Sequence, residues 1–312
     1  MNREKEIYII GGVTMKKFVK LLVMVMVIGT FVVGCGTDKK TADESATNAP
    51  TETAKGDESA TKTPTETAKA DEDTSLSDIK ENGKLILGLD ASFPPMGFKD
   101  ENQNIVGFDI DLAKEVCKRM DIELELLPID WDAKEQELSA KNIDCIWNGL
   151  SYSEERAKTM TLSETYMKNT QVAVVLADSK VKTLEDLAGQ IVVIQSGSTA
   201  SLAVDANAKF KDSLKELVKV DDNVQALFDL KISGSDAVVM DEVVARYSIS
   251  KEADAYKILE TALSDEEYVI GFRKGDEALC QEIEKHLKEM AADGTLAKIS
   301  TTWFGQDSTT IK

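Results

Sequence analysis

The chain has 312 residues, enough for two domains of ordinary size, and a formal net charge of −19. Nucleic acid is a poor partner for so acidic a chain, because no basic stretch with interleaved aromatic residues offsets the charge. With four cysteines in no CxxC spacing and a single histidine, the sequence also predicts no metal site and no cofactor.

The first 34 residues are typical of an export signal. Lysines between Met15 and Leu21 precede an apolar run that ends at Val33 and is short for a membrane span. The run closes as V-V-G-C, which resembles the lipobox of bacterial lipoproteins, in which the cysteine is lipidated. We therefore expect residues 1–34 to be a signal segment and Cys35 to carry the lipid. The residues before Met15 match no part of a signal, and we expect translation to start at Met15.

The segment 35–75 is dominated by Thr, Ala, Glu, Asp, Lys and Pro. The sequence DESAT recurs at Asp43 and Asp57, and PTETAK recurs at Pro50 and Pro64. Since residues 36–74 include no aromatic or branched aliphatic side chain, the segment buries too little apolar surface to offset its chain entropy. We predict a disordered tether between the lipid anchor and a folded module.

From residue 76 onwards, short apolar runs alternate with helical patterns, which predicts an α/β fold with mostly parallel sheets. In such sheets, ligands bind at the carboxyl ends of the strands. Asp109 is expected to cap a helix with an apolar face, Cys117 and Cys145 to lie in the core, and Cys280 to pack on a helix. The predicted strands span residues 85–89, 122–127, 171–176, 191–194 and 237–240.

The segment 147–156 reads W-N-G-L-S-Y-S-E-E-R. The apolar run that leads into it predicts a buried strand, followed by a turn that carries Asn148, Gly149 and Ser151. Arg156 closes the segment, and a guanidinium offers paired donors that match the two oxygens of a carboxylate. The alternative is an arginine on the surface after a turn.

Two aromatic residues follow predicted strand ends. Phe93 comes after Asp90, and the two prolines behind it stiffen the loop. We expect Phe93 to form either a wall of a cleft or part of the core, and Trp131 carries the same two alternatives.

Two further strand ends carry polar residues. The sequence 196–200, S-G-S-T-A, predicts a glycine-rich turn opening a helix, and the free N–H groups of such a turn, with Ser198 and Thr199, suit a phosphate or a carboxylate. The chain has no Walker lysine and no G-x-G-x-x-G, which disfavours a nucleotide. Asp241 either pairs with an ammonium or caps the next helix. Arg156 and the helix start for a carboxylate, Asp241 for an amine, and aromatic walls together describe an α-amino acid ligand.

Six segments in order over residues 80–306 carry a family resemblance: LGLDASFPPMGF, IVGFDIDLAKEV, IDCIWNGLSYSEERAKTM, LEDLAGQIVVIQSGSTAS, DAVVMDEVVA and DGTLAKISTTWFG. They resemble the solute-binding proteins (family 3) of polar amino acid ABC transporters, which include histidine- and glutamine-binding proteins. The resemblance implies a two-lobe periplasmic-binding-protein fold of type II with two crossing hinge strands. Lobe 1 would comprise residues 76–170 and 267–312, and lobe 2 residues 171–266.

The resemblance also implies roles by motif position. Arg156 and Thr199 would bind the α-carboxylate of the ligand, and Ser151, Gly149 and Asp241 would bind its α-ammonium.

The resemblance implies roles for the remaining candidates as well. Phe93 and Trp131 would flank the ligand side chain, and Asp90 would accept from a donor at its far end. Asn148 stands where many relatives have serine, so the resemblance does not carry over the side-chain preference.

These expectations describe an extracytoplasmic, lipid-anchored monomer that captures a polar L-amino acid (basic, Gln or cystine-like) and delivers it to an ABC permease, without being an enzyme. One alternative is a cyclohexadienyl dehydratase, whose fold the chain also resembles, with Asp90 and Asp241 doing acid–base work. Another is a ligand-sensing module for a separate membrane receptor.

Overall fold

The computed structural model describes residues 72–252 and 254–312. The predicted signal segment, Cys35 and nearly all of the predicted tether lie outside these residues. Two residues at the end of the predicted tether are attached to the folded module: Asp73 accepts from the N–H of Ala278, and the hydroxyl of Ser75 accepts from the N–H of Leu279. Over the described ranges, no helix is both long and apolar enough to span a membrane.

Helices and strands alternate along the described chain, which confirms the predicted α/β class. The helices are α1 (Ser75–Asn82), α2 (Phe108–Met120), α3 (Lys134–Ser139), α4 (Glu154–Thr159), α5 (Thr199–Ala206), α6 (Ala208–Ser213), α7 (Asn223–Lys231), α8 (Glu242–Lys251), α9 (Glu277–Ala292) and α10 (Thr295–Phe304). The strands are β1 (Lys84–Leu89), β2 (Ser92–Phe93), β3 (Gly97–Lys99), β4 (Ile105–Val106), β5 (Glu123–Pro128), β6 (Cys145–Ser151), β7 (Met160–Leu162), β8 (Met167–Leu176), β9 (Ile191–Gln195), β10 (Glu216–Val220), β11 (Ala237–Asp241), β12 (Tyr256–Ile258) and β13 (Ser264–Arg273). The five strands predicted by range are present within a few residues of their expected bounds, and β6 is the buried strand predicted from the apolar run before Asn148.

The main sheet has the strand order β10-β9-β11-β8-β13-β6-β1-β5, and β2, β3 and β4 form a small separate sheet. Strand β1 pairs in parallel with β5 and β6, and β9 pairs in parallel with β10 and β11. Strands β8 and β13 pair with all their neighbours in the antiparallel sense. The sheet is therefore mixed, whereas the alternating pattern predicted mostly parallel pairing, because apolar runs do not record the direction of a strand's neighbours.

Strands β8 and β13 join the two parallel groups. Their first halves, 167–171 and 264–268, pair with each other. The second half of β8 then pairs with β11 and β12, and the second half of β13 pairs with β6 and β7. Each strand thus begins in the shared ladder and ends in a different parallel group.

The cores lie between the helices and the two parallel groups. The central strands β9 and β11 are buried along nearly their whole length, as expected for parallel strands covered on both faces. Cys117, Cys145 and Cys280 are buried and free, which confirms their predicted packing role.

The prediction that Asp109 caps α2 is wrong. Gly107 occupies the N-cap, and Asp109 lies in the first turn with its side chain fully buried. Its carboxylate accepts from the N–H of Gly149 at 2.7 Å and from the hydroxyl of Tyr166 at 3.0 Å. Burial raises the pKa of Asp109 to about 7. The carboxylate therefore ties α2 to β6.

Candidate ligand-binding site

Strand β6 carries the first part of the site. Every residue of the strand is buried, and β1 and β13 pair with it on either side. The turn expected from Asn148 onwards is therefore strand up to Ser151, which corrects the prediction. Gly149 has a left-handed φ of +63° opposite an irregularity in the β13 ladder, and a Cβ there would lie 2.8 Å from a ring carbon of Phe93.

Arg156 lies in the first turn of α4, where the hydroxyl of Ser153 accepts from its N–H. Its guanidinium is buried and donates to the carbonyl of Ser151 at 2.6 Å and to the carbonyl of Gly197 at 3.4 Å. Burial lowers the pKa of Arg156, but arginine keeps its charge in proteins. The surface alternative is excluded, and a cation is present where β6 ends.

The glycine-rich turn opens a helix as predicted. Gly197 has a φ of +64°, and α5 begins at Thr199 with Ser198 at the N-cap. The hydroxyl of Ser198 donates back to the carbonyl of Gln195 and makes no cap bond. The positive end of this eight-residue helix dipole lies beside the Arg156 guanidinium, so both favour negative charge at one place.

Asp241 ends β11 and is at the N-cap of α8, but its side chain makes no cap bond. Its carboxylate accepts from the amide of Asn169 at 2.6 Å and from the hydroxyl of Tyr268 at 2.7 Å. Burial, followed by the nearby negative charge of Glu266, raises the pKa of Asp241 to about 7. The capping alternative is therefore wrong, and the carboxylate is held by the crossing strands.

Asp90 follows β1 and is nearly buried. One carboxylate oxygen accepts from the N–H of Ser92 and the other from the side-chain amide of Gln195, each at 2.8 Å. Burial raises the pKa of Asp90 to about 6. The side chain of Asn148 accepts from the N–H of Asp90 at 3.0 Å, so this asparagine fixes the backbone of Asp90.

The two aromatic candidates are buried like core residues and also form part of a cavity wall. Phe93 and Trp131 are 6% and 8% exposed, and both line the same cavity. Lys134 lies over the Trp131 ring and donates to the carbonyls of Trp131 and Gly197, each at 3.0 Å. Burial lowers the pKa of Lys134 to about 8. The Trp131 wall is thus held against the turn that opens α5.

A single cavity collects most of the candidate residues. Its volume is only about 10 Å³, and a guanidinium and a carboxylate are both on its wall. Two candidates, Asp90 and Asn148, are not on the wall, and Asp90 contacts it through Gln195. The lining residues are Phe93, Trp131, Gly149, Ser151, Arg156, Gln195, Ser198, Thr199 and Asp241. A cation and an anion on the wall of one cavity suit the two charged groups of a zwitterion.

Sequence reasoning missed several polar residues of the site. Gln195 could have been predicted, because it is the last residue of its strand before the glycine-rich turn. Lys134, Asn169, Gln171 and Glu266 carried no local signal, since only tertiary pairing directs their side chains towards this region.

Comparison with known proteins identifies similar chains. The model of the family described as bacterial extracellular solute-binding proteins, family 3, matches residues 85–306. The L-cystine-binding protein TcyJ of Escherichia coli (strain K12) is 31% identical over 236 residues, covering 75% of this chain and 87% of the relative.

Solved structures are similar as well. A substrate-binding protein of an ABC uptake transporter from Streptococcus pneumoniae, with bound histidine, superposes with a TM-score of 0.74 at 35% identity, over 76% of this chain and 98% of that one. The protein Tv2483 bound to L-arginine gives a TM-score of 0.74 at 30% identity, over 77% of this chain and 98% of that one.

Proposed function

The chain belongs to the bacterial extracellular solute-binding proteins of family 3, and from this premise we propose that it captures a polar L-amino acid outside the cell membrane and delivers it to an ABC permease. The observation that carries the proposal is the pair of opposite charges, Arg156 and Asp241, on the wall of one cavity. The guanidinium and the start of α5 receive the α-carboxylate, and Asp241 with the hydroxyl of Ser151 receives the α-ammonium.

The ligand side chain is placed between Phe93 and Trp131, with its far end towards Gln195 and Asp90. The carboxylate of Asp90 favours a ligand with a distal donor, so a basic amino acid, glutamine or cystine is the proposed substrate class. One relative is named for cystine, and two similar solved structures hold arginine and histidine, which is consistent with this class.

Capture works through closure of two lobes, residues 76–170 with 267–312 and residues 171–266. Support for this division comes from β8 and β13, which cross between the two strand groups. The cavity is lined from both sides: Arg156 comes from the first lobe, and Thr199 and Asp241 come from the second. A ligand that bridges them binds the closed state better and so shifts the population towards it.

The test is a thermal-shift screen of the purified folded module against L-arginine, L-lysine, L-ornithine, L-glutamine, L-histidine and L-cystine. A ligand present at 100 times its Kd stabilises the native state by roughly 2.7 kcal/mol. Two arginine analogues test the two charges separately: agmatine lacks the carboxylate, and the 2-hydroxy analogue lacks the ammonium. Binding of either analogue as tightly as of L-arginine would contradict the proposal.

We also propose that Cys35 carries a lipid that anchors the protein outside the membrane. In cells labelled with a radioactive fatty acid, the wild-type chain and Cys280→Ala should both carry label, and Cys35→Ala should not. Label on the Cys35→Ala chain would contradict the anchor.

A second candidate function is dehydration of a cyclohexadienyl substrate. The observation that favours it is the pair of buried carboxylates, Asp90 and Asp241, whose pKa values are raised to about 6 and about 7. Against it, His286 contacts Glu282 and Glu289 of its own helix rather than the cavity. Turnover of arogenate or prephenate by the purified protein would favour the enzyme over the binding protein.

A further inference from the structure

Glu266, on the shared ladder of the crossing strands, joins the ligand-binding hydroxyls of both proposed lobes. One oxygen of its carboxylate accepts from the hydroxyl of Ser151 at 2.6 Å and from the hydroxyl of Thr199 at 3.1 Å. The same oxygen accepts from the side-chain amides of Gln171 at 3.1 Å and Asn169 at 3.3 Å. Ser151 ends β6, and Thr199 begins α5, so one carboxylate collects groups from both sides of the cavity.

The position of Glu266 behind these hydroxyls determines what they offer to a ligand. Glu266 is not part of the cavity wall, whereas Ser151 and Thr199 are. A hydroxyl has one proton and two lone pairs, so a hydroxyl that donates to Glu266 turns its lone pairs towards other neighbours. Lone pairs that face the cavity accept hydrogen bonds, as an ammonium group requires.

The charge of Glu266 acts in the same direction. The side-chain NH₂ group of Asn169 donates to both Glu266 and Asp241, so the two carboxylates lie close to one nitrogen. Two negative charges next to the cavity attract a cation more strongly than Asp241 alone.

We infer that Glu266 is a positioning residue that makes this part of the cavity specific for the ligand's α-ammonium, by orienting the Ser151 hydroxyl as an acceptor and adding its charge to that of Asp241. The inference rests on the proposed function, since it presupposes an amino acid in the cavity.

The pH dependence of this arrangement is set by a few groups. The charged and titratable groups that face Glu266 are Asp241 of β11, Arg156 of α4 and the hydroxyl of Tyr268 on its own strand, and the amides of Asn169 and Gln171 do not titrate. The Glu266 charge contributes to the raised pKa of Asp241. Removal of that charge therefore lowers the pKa of Asp241 and moves the acid limb of binding to lower pH.

The matched pair of variants is Glu266→Gln and Glu267→Gln, because Glu267 is the adjacent residue of the same strand, is exposed, and carries the same charge. The probes are L-arginine and its 2-hydroxy analogue, measured by calorimetry from about pH 5 to about pH 8. Thermal unfolding without ligand verifies that both variants fold.

We expect Glu266→Gln to weaken binding of L-arginine about tenfold or more at the upper pH and to reduce the preference for L-arginine over the hydroxy analogue, with the acid limb at lower pH. Glu267→Gln should change none of these. Equal losses for both probes, or an unmoved acid limb, would overturn the inference and leave Glu266 a structural residue.

The failure of the proposed function has a different signature: the wild-type protein would then bind none of the amino acids in the panel. If the Glu266→Gln variant does not fold, Ser151→Ala takes its place in the experiment. Loss of the oriented hydroxyl should then reduce the same preference, and an unchanged preference would overturn the inference.

Discussion

The hydroxyl of Thr199 lies 3.2 Å from the hydroxyl of Ser151, although 48 residues separate them in the chain. Ser151 is the last residue of β6, and Thr199 is the first residue of α5. The two belong to different proposed lobes, so this contact exists only when the two sides of the cavity are close together. A ligand that binds both hydroxyls therefore favours that arrangement.

Replacement of Arg156 tests the carboxylate half of the site. Removing one partner of a buried charged pair costs about 2 to 5 kcal/mol, so Arg156→Met should abolish useful binding of L-arginine. Arg156→Lys should also weaken binding about tenfold or more, because a point charge does not reproduce the paired donors.

Calorimetry measures both variants, with Arg246→Lys as the control, since Arg246 is exposed on α8 and pairs with Glu242. Near-wild-type affinity of Arg156→Lys would remove Arg156 from the carboxylate site.

Gly149→Ala should damage both the fold and the site. The left-handed backbone costs a non-glycine residue about 1 to 2 kcal/mol, and the added Cβ would meet the Phe93 ring at 2.8 Å. Gly189→Ala is the matched control, because Gly189 has a φ of +75° and open space around its Cβ position.

We expect both alanine variants to unfold at lower temperature, Gly149→Ala more so. Only Gly149→Ala should lose affinity for the ligand, because it displaces an aromatic wall. Equal behaviour of the two variants in thermal unfolding and calorimetry would show that the Phe93 contact is unimportant.

Asp90→Asn should change the ligand preference. The substitution removes a negative charge that favours a cationic side chain, so affinity for L-arginine should fall about tenfold or more. Affinity for L-glutamine should change little, and the comparison of the two ligands on one variant is its own control. An equal loss for both ligands would indicate that Asp90 acts only through its bond to Gln195.

Asp109 should contribute to the pH dependence of stability. Its pKa is about 7 in the native state, well above its ordinary value, so the native state holds a proton that the unfolded state releases. The native state is therefore favoured at low pH, and this contribution, on the order of 4 kcal/mol, is lost as pH rises through about 7.

In Asp109→Asn, the decrease in unfolding temperature between about pH 4 and about pH 7 should be smaller than in the wild type. Asp121→Asn is the control, since Asp121 is exposed at the end of the same helix. A wild-type pH profile in Asp109→Asn would mean that this carboxylate is ionised in the native protein.

The fold class and most of the cavity wall were predictable from the sequence, because their signals are local. Apolar runs indicated the buried strands, and the glycine-rich turn after Gln195 indicated the start of a helix. Asp241 and Arg156 follow such strands, and strand ends meet at one edge of a sheet. Eight of the ten predicted site residues accordingly line one cavity.

Other features depended on partners distant in the chain. The sequence indicated that Asp109 caps a helix, but its carboxylate accepts hydrogen bonds from Gly149 and Tyr166 instead. Strand β6 extends to Ser151 because β13, more than a hundred residues later, supplies its backbone partners.

By itself, then, the sequence determined which segments are buried strands and which residues stand at their ends, since hydrophobic periodicity and turn chemistry act over a few residues. Only the tertiary structure decided the direction of the crossing strands and the position of Glu266 behind the two hydroxyls. The physical reason is that hydrogen-bond partners between distant strands are selected by the packing of the whole sheet, and no short segment contains that information.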